Sequence, residues 1–191
     1  LIAADTLLER AAGRRGPWVD VQAEDFNLDA RKEVRLAGDR MVGYLAPGRG
    51  GHLYELDIRA IQVNLLATLN RRPEPYHDRI RQHAGQASSA SGGGVDPNGG
   101  VCFKQPDLDQ KLQYDGWPRK SLVDHFFQPG LLFDAFAQGH GELGDFTEGV
   151  FQSKLRRSAD RVEACLWREG KLGPFSVKLT KSVALRTNDG G

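Results

Sequence analysis

Apolar and polar positions along this chain follow two periods in turn. Leu1, Leu7, Leu8, Ala11 and Ala12 recur at helical spacing and stop at Gly13, which predicts a helix over 1–12. After Pro17 the period shortens to two. The stretch 19–23 alternates as a half-buried strand does, Asn27-Leu28-Asp29-Ala30 reads as a turn, and 33–36 opens the next strand. Two further strands, 40–45 and 52–59, are joined across Pro47-Gly48-Arg49-Gly50-Gly51. In the second, strict alternation puts Leu53, Glu55, Asp57 and Arg59 on one face and His52, Tyr54, Leu56 and Ile58 on the other. That predicts an antiparallel sheet whose charged outer face meets water.

The pattern then loosens. Residues 61–69 are apolar but short, fitting a strand or one or two helical turns, and 71–80, with Pro73 and Pro75, reads as loop. The Gly/Ser-rich stretch 86–100 holds almost nothing that could be buried, which predicts mobility. Beyond it, 122–127 and 131–136 are apolar runs split by Pro129-Gly130. Strands are expected over 150–157, 161–168 and 175–185, the last two meeting at Glu169-Gly170-Lys171. Repeated short strands with glycine-rich turns make the chain mainly β, an antiparallel β-sandwich with a short N-terminal helix. The closing Asn188-Asp189-Gly190-Gly191 is a hairpin signal with no strand after it, so the sandwich is expected to be incomplete. An uncovered inner face would then drive self-association or call for further chain.

Composition narrows the function classes. The 26 Lys and Arg nearly cancel the 25 Asp and Glu, and the pairs Arg14-Arg15, Arg71-Arg72 and Arg156-Arg157 each have acidic neighbours, so nothing favours nucleic acid as a partner. No apolar run approaches the roughly 20 residues that span a membrane, and no secretion signal is visible. Cys102 and Cys165 match no metal or redox spacing and are expected as reduced thiols. A start at Leu1 rather than Met suggests a piece of a longer protein, and a cytoplasmic location is expected.

Several candidate chemistries fade on inspection. Gly139-His140-Gly141-Glu142-Leu143-Gly144 fits the dinucleotide pattern, but β-formers follow where a helix should start, so a loop is expected. His77 and His83 are not spaced as a helical zinc pair, and no metal or other cofactor is expected. His125 beside Asp124 could be an oriented acid/base pair, yet neighbours on a strand point to opposite faces. Asp107 with Asp109, or Glu142 with Asp145, could supply the paired carboxylates of glycoside hydrolysis, but both pairs lie in polar stretches that would leave them solvated. No catalytic residue is assigned. The stretch Tyr114-Asp115-Gly116-Trp117-Pro118-Arg119 is different: aromatic faces flanked by a carboxylate and a guanidinium suit a sugar. Trp117 and Tyr114 are candidates for stacking, and Asp115 and Arg119 for binding hydroxyls, against the plainer reading of a core tryptophan beside a salt bridge.

Taken in order, several segments look familiar. They are Asp25-Phe26-Asn27-Leu28-Asp29, Glu33-Val34, Gly50-Gly51-His52-Leu53-Tyr54-Glu55-Leu56-Asp57, Asn64-Leu65-Leu66, Arg71-Arg72-Pro73-Glu74-Pro75-Tyr76-His77, the run from Tyr114 to Ser121, and Asp124-His125-Phe126. Together they resemble the C-terminal domain of the α-amylase and 4-α-glucanotransferase branch of glycoside hydrolase family 57. The resemblance implies a galactose-mutarotase-like sandwich over 17–191, with 1–13 as the end of a helical middle domain or a linker. It also implies a catalytic barrel upstream in the same polypeptide, carrying the family's carboxylates. Ala30 stands where such turns often carry Gly, and Gly116 reads as an insertion between Asp115 and Trp117. The implied role is a non-catalytic accessory domain with weak affinity for α-glucan or maltooligosaccharide. A stand-alone mutarotase or epimerase using His125 with a carboxylate, or a purely structural module, are the alternatives.

Overall fold

The computed structural model describes residues 1–82 and 111–187. The Gly/Ser-rich stretch, Cys102, the pair Asp107 and Asp109, His83 and the terminal turn signal at 188–191 lie outside the described residues.

Helix α1 (Ile2–Ala11) precedes strands β1 (Val19–Glu24), β2 (Glu33–Gly38), β3 (Met41–Ala46), β4 (His52–Ile58) and the two-residue β5 (Val63–Asn64). These strands form one antiparallel sheet in chain order. Helices α2 (Pro75–Gln82) and α3 (Phe133–Ala137) follow, and β6 (Gln152–Arg157), β7 (Arg161–Leu172) and β8 (Phe175–Arg186) build a second antiparallel sheet. The sheets pack face to face as a sandwich. Val21, Val34, Leu36 and Leu45 of the first meet Val162, Ala164, Leu166 and Leu185 of the second, with Phe146 and Phe151 from the linking loop sealed between them. Phe146 is fully buried. At one edge the Arg157 guanidinium donates to Asp20 and to the Val21 carbonyl, tying β6 to β1.

The expected alternation in β4 fails at a bulge. The β3–β4 register shifts between Tyr44 and Leu45, so that Leu45 pairs with Leu53 but Tyr44 pairs with Glu55. One extra residue throws Leu53 and Leu56 onto the same side. Both reach the space over Gly43, where a side chain would touch them. The charged face does not meet water either. Asp57 and Arg59 are each 7% exposed. Arg59 and Arg35 reach the acidic side of α1, at 2.8 Å from Asp5 and 2.9 Å from Glu9 respectively. No residue of α1 is itself buried, so ion pairs and the Arg59–Thr6 hydrogen bond hold it to the sheet more than apolar contact does.

Other expectations are corrected. The β7–β8 hairpin extends past Glu169-Gly170-Lys171 to pair Leu172 with Phe175, and its turn is Gly173-Pro174 with Gly173 at φ +56°. A glycine with positive φ at the first central position suits the strand twist. Gly170 instead serves a close approach, because a Cβ there would strike the Phe146 ring. Part of 71–80 is helical, since Pro75 opens α2, where its missing N–H costs nothing. The apolar run 122–127 contributes a single bridge at Phe127, and 131–136 leads into the short α3. Lys181 falls on the inward face of β8 by alternation. Its ammonium leaves the core by donating to the Gly50 and Leu122 carbonyls, both at 2.9 Å, and to Asp124. That pins both the β3–β4 turn and the start of the 122–127 run.

Candidate functional site

The segment 114–121 runs along the edge of β4 left open beyond the short β5. Leu53 and Ser121 exchange backbone hydrogen bonds of 2.9 and 3.1 Å. Residues 68–71 brace it from the other side. The Asp115 N–H donates to the Arg71 carbonyl at 2.9 Å, the Arg119 N–H to Asn70 Oδ1 at 2.9 Å, and the Thr68 hydroxyl to the Arg119 carbonyl.

Within this brace the four candidate residues take different surroundings. Asp115 is the hub. Its Oδ2 accepts the Arg71 N–H at 2.7 Å, and its Oδ1 accepts from the Arg71 and Arg119 guanidinium groups at 2.7 and 2.8 Å. Burial alone would raise the pKa of this carboxyl, but the Arg71 and Arg119 donors outweigh it and hold the group at about 2. Asp115 and Arg119 are thus brought together as sequence suggested. Tyr114 turns away toward α2, its hydroxyl 3.1 Å from His77 Nδ1 and 3.1 Å from the Arg81 guanidinium, which also lies 5.2 Å over its ring. Trp117 is half-buried among three rings, His125 at 4.8 Å, Phe127 at 5.4 Å and Phe136 at 5.4 Å. Tyr114 and Trp117 therefore do not form one continuous platform. Gly116 between them lies backbone to backbone against Gly139, and a Cβ at either position would collide.

His125 does find a carboxylate, though not the adjacent one. Its Nδ1 lies 2.8 Å from Glu142 Oε2, while Asp124 is bound to Lys181. Glu142 and Asp145 are not a pair, for Asp145 accepts from Arg168 and from the Lys171 N–H. The Gly139–Gly144 stretch is a loop that bridges back to Phe127 and no helix follows it. A pair that sequence inspection passed over does form. Glu55 and Asp57, two apart on β4, lie close enough to feel each other's charge; burial first and mutual repulsion second raise the Glu55 pKa, and Asp57 is raised chiefly by burial. Their spacing on one strand face was the available signal. Among the described residues no group of three or more His, Cys, Asp or Glu gathers to hold a metal, and no helix is long and apolar enough to cross a membrane.

Among the described residues two clefts stand out. One, about 500 Å³, lies between the C-terminal end of α1 and the start of β1. Arg14 covers Trp18 at 4.4 Å there and is itself bound to Asp20. The other, about 250 Å³, lies beneath Pro118 and Lys120 and is floored by His52 and Tyr54 of β4. Residues from the 25–29, 50–57 and 114–121 segments, which carried the family resemblance, converge on it.

The fold is a two-sheet antiparallel sandwich, and comparison with known proteins gives its family. The chain belongs to the α-amylase/4-α-glucanotransferase C-terminal family, which matches residues 25–190. An α-amylase from Pyrococcus abyssi is 30% identical over 163 residues, which are 85% of this chain and 24% of the relative. A 4-α-glucanotransferase from Thermococcus kodakarensis is 31% identical over 168 residues, 87% of this chain and 24% of the relative. The crystal structure of the 4-α-glucanotransferase from Thermococcus litoralis superposes with a TM-score of 0.64 at 24% identity, over 97% of this chain and 25% of that one, and shares its fold. The chain thus spans about a quarter of the length of these relatives.

Proposed function

We propose that this chain is a non-catalytic accessory domain of an α-glucan-acting enzyme of glycoside hydrolase family 57. In that reading it packs on the catalytic barrel of the same polypeptide and contacts glucan through the braced segment at Trp117. The observation that carries it is the Arg71–Asp115–Arg119 cluster. The Asp115 carboxylate fixes the half-exposed Arg71 and Arg119 guanidinium groups, two residues along the chain from the half-buried Trp117. Preorganised polar groups next to an aromatic ring lower the ordering cost of binding a hydroxylated ligand. The Glu55–Asp57 pair does not argue for hydrolysis, because Asp57 is buried on the face that α1 covers.

Titration of the chain with maltooligosaccharide tests the proposal. Trp117 fluorescence is expected to change with a Kd of roughly 1 mM, worth about −4 kcal/mol, and Trp117→Ala is expected to abolish binding with the fold intact. Unfolding of that variant, or no binding by the parent chain, would return Trp117 to the role of a core residue. The His125–Glu142 contact keeps the mutarotase or epimerase reading as the second one, decided by an aldose turnover assay.

A further inference from the structure

We infer that the 250 Å³ cleft floored by His52 and Tyr54 is a binding subsite for one neutral pyranose unit, separate from the ring of Trp117. This rests on the glucan-binding reading above and says where the hydroxyls are held.

His52 carries the argument. It is 4% exposed, it lines the cleft, and its Nδ1 is buried with no hydrogen-bond partner. Leaving a buried ring nitrogen without a partner is costly, so such groups are rare unless a ligand or ordered water completes them. Burial, with Arg49 nearby, lowers its pKa to about 4, so the ring is neutral at physiological pH and can meet a hydroxyl as donor or acceptor. Tyr54 stands beside it, ring centroids 6.4 Å apart, and supplies an apolar face and a hydroxyl.

The surrounding charges favour a neutral ligand over an anion. Arg31, Arg49 and Lys120 are matched by Asp29, Glu33 and Glu148. Each of the three cations already has an acceptor: Arg31 on the Gly48 carbonyl, Arg49 on Glu148, and Lys120 on the Leu66 carbonyl. A phosphate would find little uncommitted positive charge, whereas a sugar asks only for neutral donors and acceptors around an aromatic wall. The volume limits the occupant to about one ring, so the cleft would take a chain end or a single residue of a longer glucan.

The test is a maltotriose titration of the full 191-residue chain followed by ligand-observed NMR, with parallel titrations of glucose and inorganic phosphate. His52→Ala and the milder Tyr54→Phe and Asp29→Asn are each compared with Trp117→Ala. We expect glucose to bind the parent chain, and the cleft variants to weaken maltotriose at least tenfold while the fluorescence of Trp117 still reports residual contact. Tyr54→Phe and Asp29→Asn decide the matter should His52→Ala not fold. Unchanged affinity in all cleft variants, with binding lost in Trp117→Ala, overturns the subsite but leaves the glucan-binding reading standing. No binding of maltotriose by the parent chain overturns both. Phosphate binding that competes with glucose overturns the neutral-ligand assignment.

Discussion

Glu142 holds three groups at once: its Oε2 meets His125 Nδ1 at 2.8 Å, and its Oε1 accepts the Phe126 N–H at 2.8 Å and the Gly144 N–H at 3.1 Å. The carboxylate fastens the 125–127 segment to the glycine loop, and with it the aromatic wall behind Trp117. Glu142→Ala removes charge-assisted hydrogen bonds and leaves two half-buried backbone donors, the Phe126 and Gly144 N–H groups, unpaired. We expect a loss of about 3 kcal/mol in a urea titration. The same residue separates the two functional readings. If His125 and Glu142 form a structural clasp, the purified chain shows no aldose turnover. Turnover that vanishes in His125→Ala would establish the enzyme instead.

Gly116 and Gly139 make a second, tighter clasp. A Cβ on Gly116 would press on the Gly139 backbone, which cannot swing aside as a side-chain tip can. Gly116→Ala is therefore expected to destabilise by about 1–3 kcal/mol, within the range of overpacking. The displacement would move Trp117 relative to Phe136, so its emission should shift as well. An alanine variant with native stability and native emission would show that the contact is slack.

Much of the first sheet was legible because β1 and β2 alternate apolar with polar residues, although α1 covers the polar face and leaves every residue of β2 buried. What escaped notice has physical causes. The bulge in β4 hid because Leu53 and Leu56, read with strict period two, fall on opposite faces; only the partner register reveals that they share one. Helix α2 hid behind Pro73 and Pro75, although Pro75 is a helix-opening signal, because Ile80 is the only apolar residue it buries. At the hairpin Gly170 drew the turn three residues early, when its actual constraint is the Asp145 carboxylate and the Phe146 ring packed against it. The candidate site was half legible. Composition suggested Asp115 with Arg119, but Arg71 comes from 44 residues earlier in the chain. His52 gave no signal of its own, because a histidine at the head of a strand is ordinary until it is found lining a cleft with a buried, unpartnered ring nitrogen.

Ala30 adopts φ +67°, a left-handed conformation that disfavours a Cβ. Asp25 keeps it there by accepting the Asp29 and Ala30 N–H groups at 3.1 and 2.9 Å. Replacement by glycine relieves about 1–2 kcal/mol of strain and returns part of that as unfolded-state entropy. Ala30→Gly is expected to raise stability by about 0.5–1 kcal/mol, read as a higher urea midpoint at unchanged slope. A lower midpoint would mean that the turn is not held in this conformation.

His52 also makes an acid-side prediction. Unfolded, its imidazole takes up a proton near pH 6.5; folded, burial and the Arg49 charge delay this to about pH 4, with Lys181 and Lys120 acting in the same direction and Glu148 against it. Between those values the unfolded chain binds more protons than the native one, so stability falls as the pH falls. The contribution is intact above pH 6.5 and declines by up to about 3 kcal/mol on approaching pH 4. Glu55 and Asp57 work the other way. Their folded pKa values are raised, so the native state gains protons first and part of the loss is recovered as they titrate. Asp115, held at about 2, loses its contribution only below its ordinary value of 3.8. Urea midpoints at pH 7, 6 and 5 should therefore decline in the parent chain and decline less in His52→Asn, which has no titrating ring. Equal slopes in the two proteins would show that His52 titrates alike folded and unfolded, so that burial does not hold its ring neutral below pH 6.5.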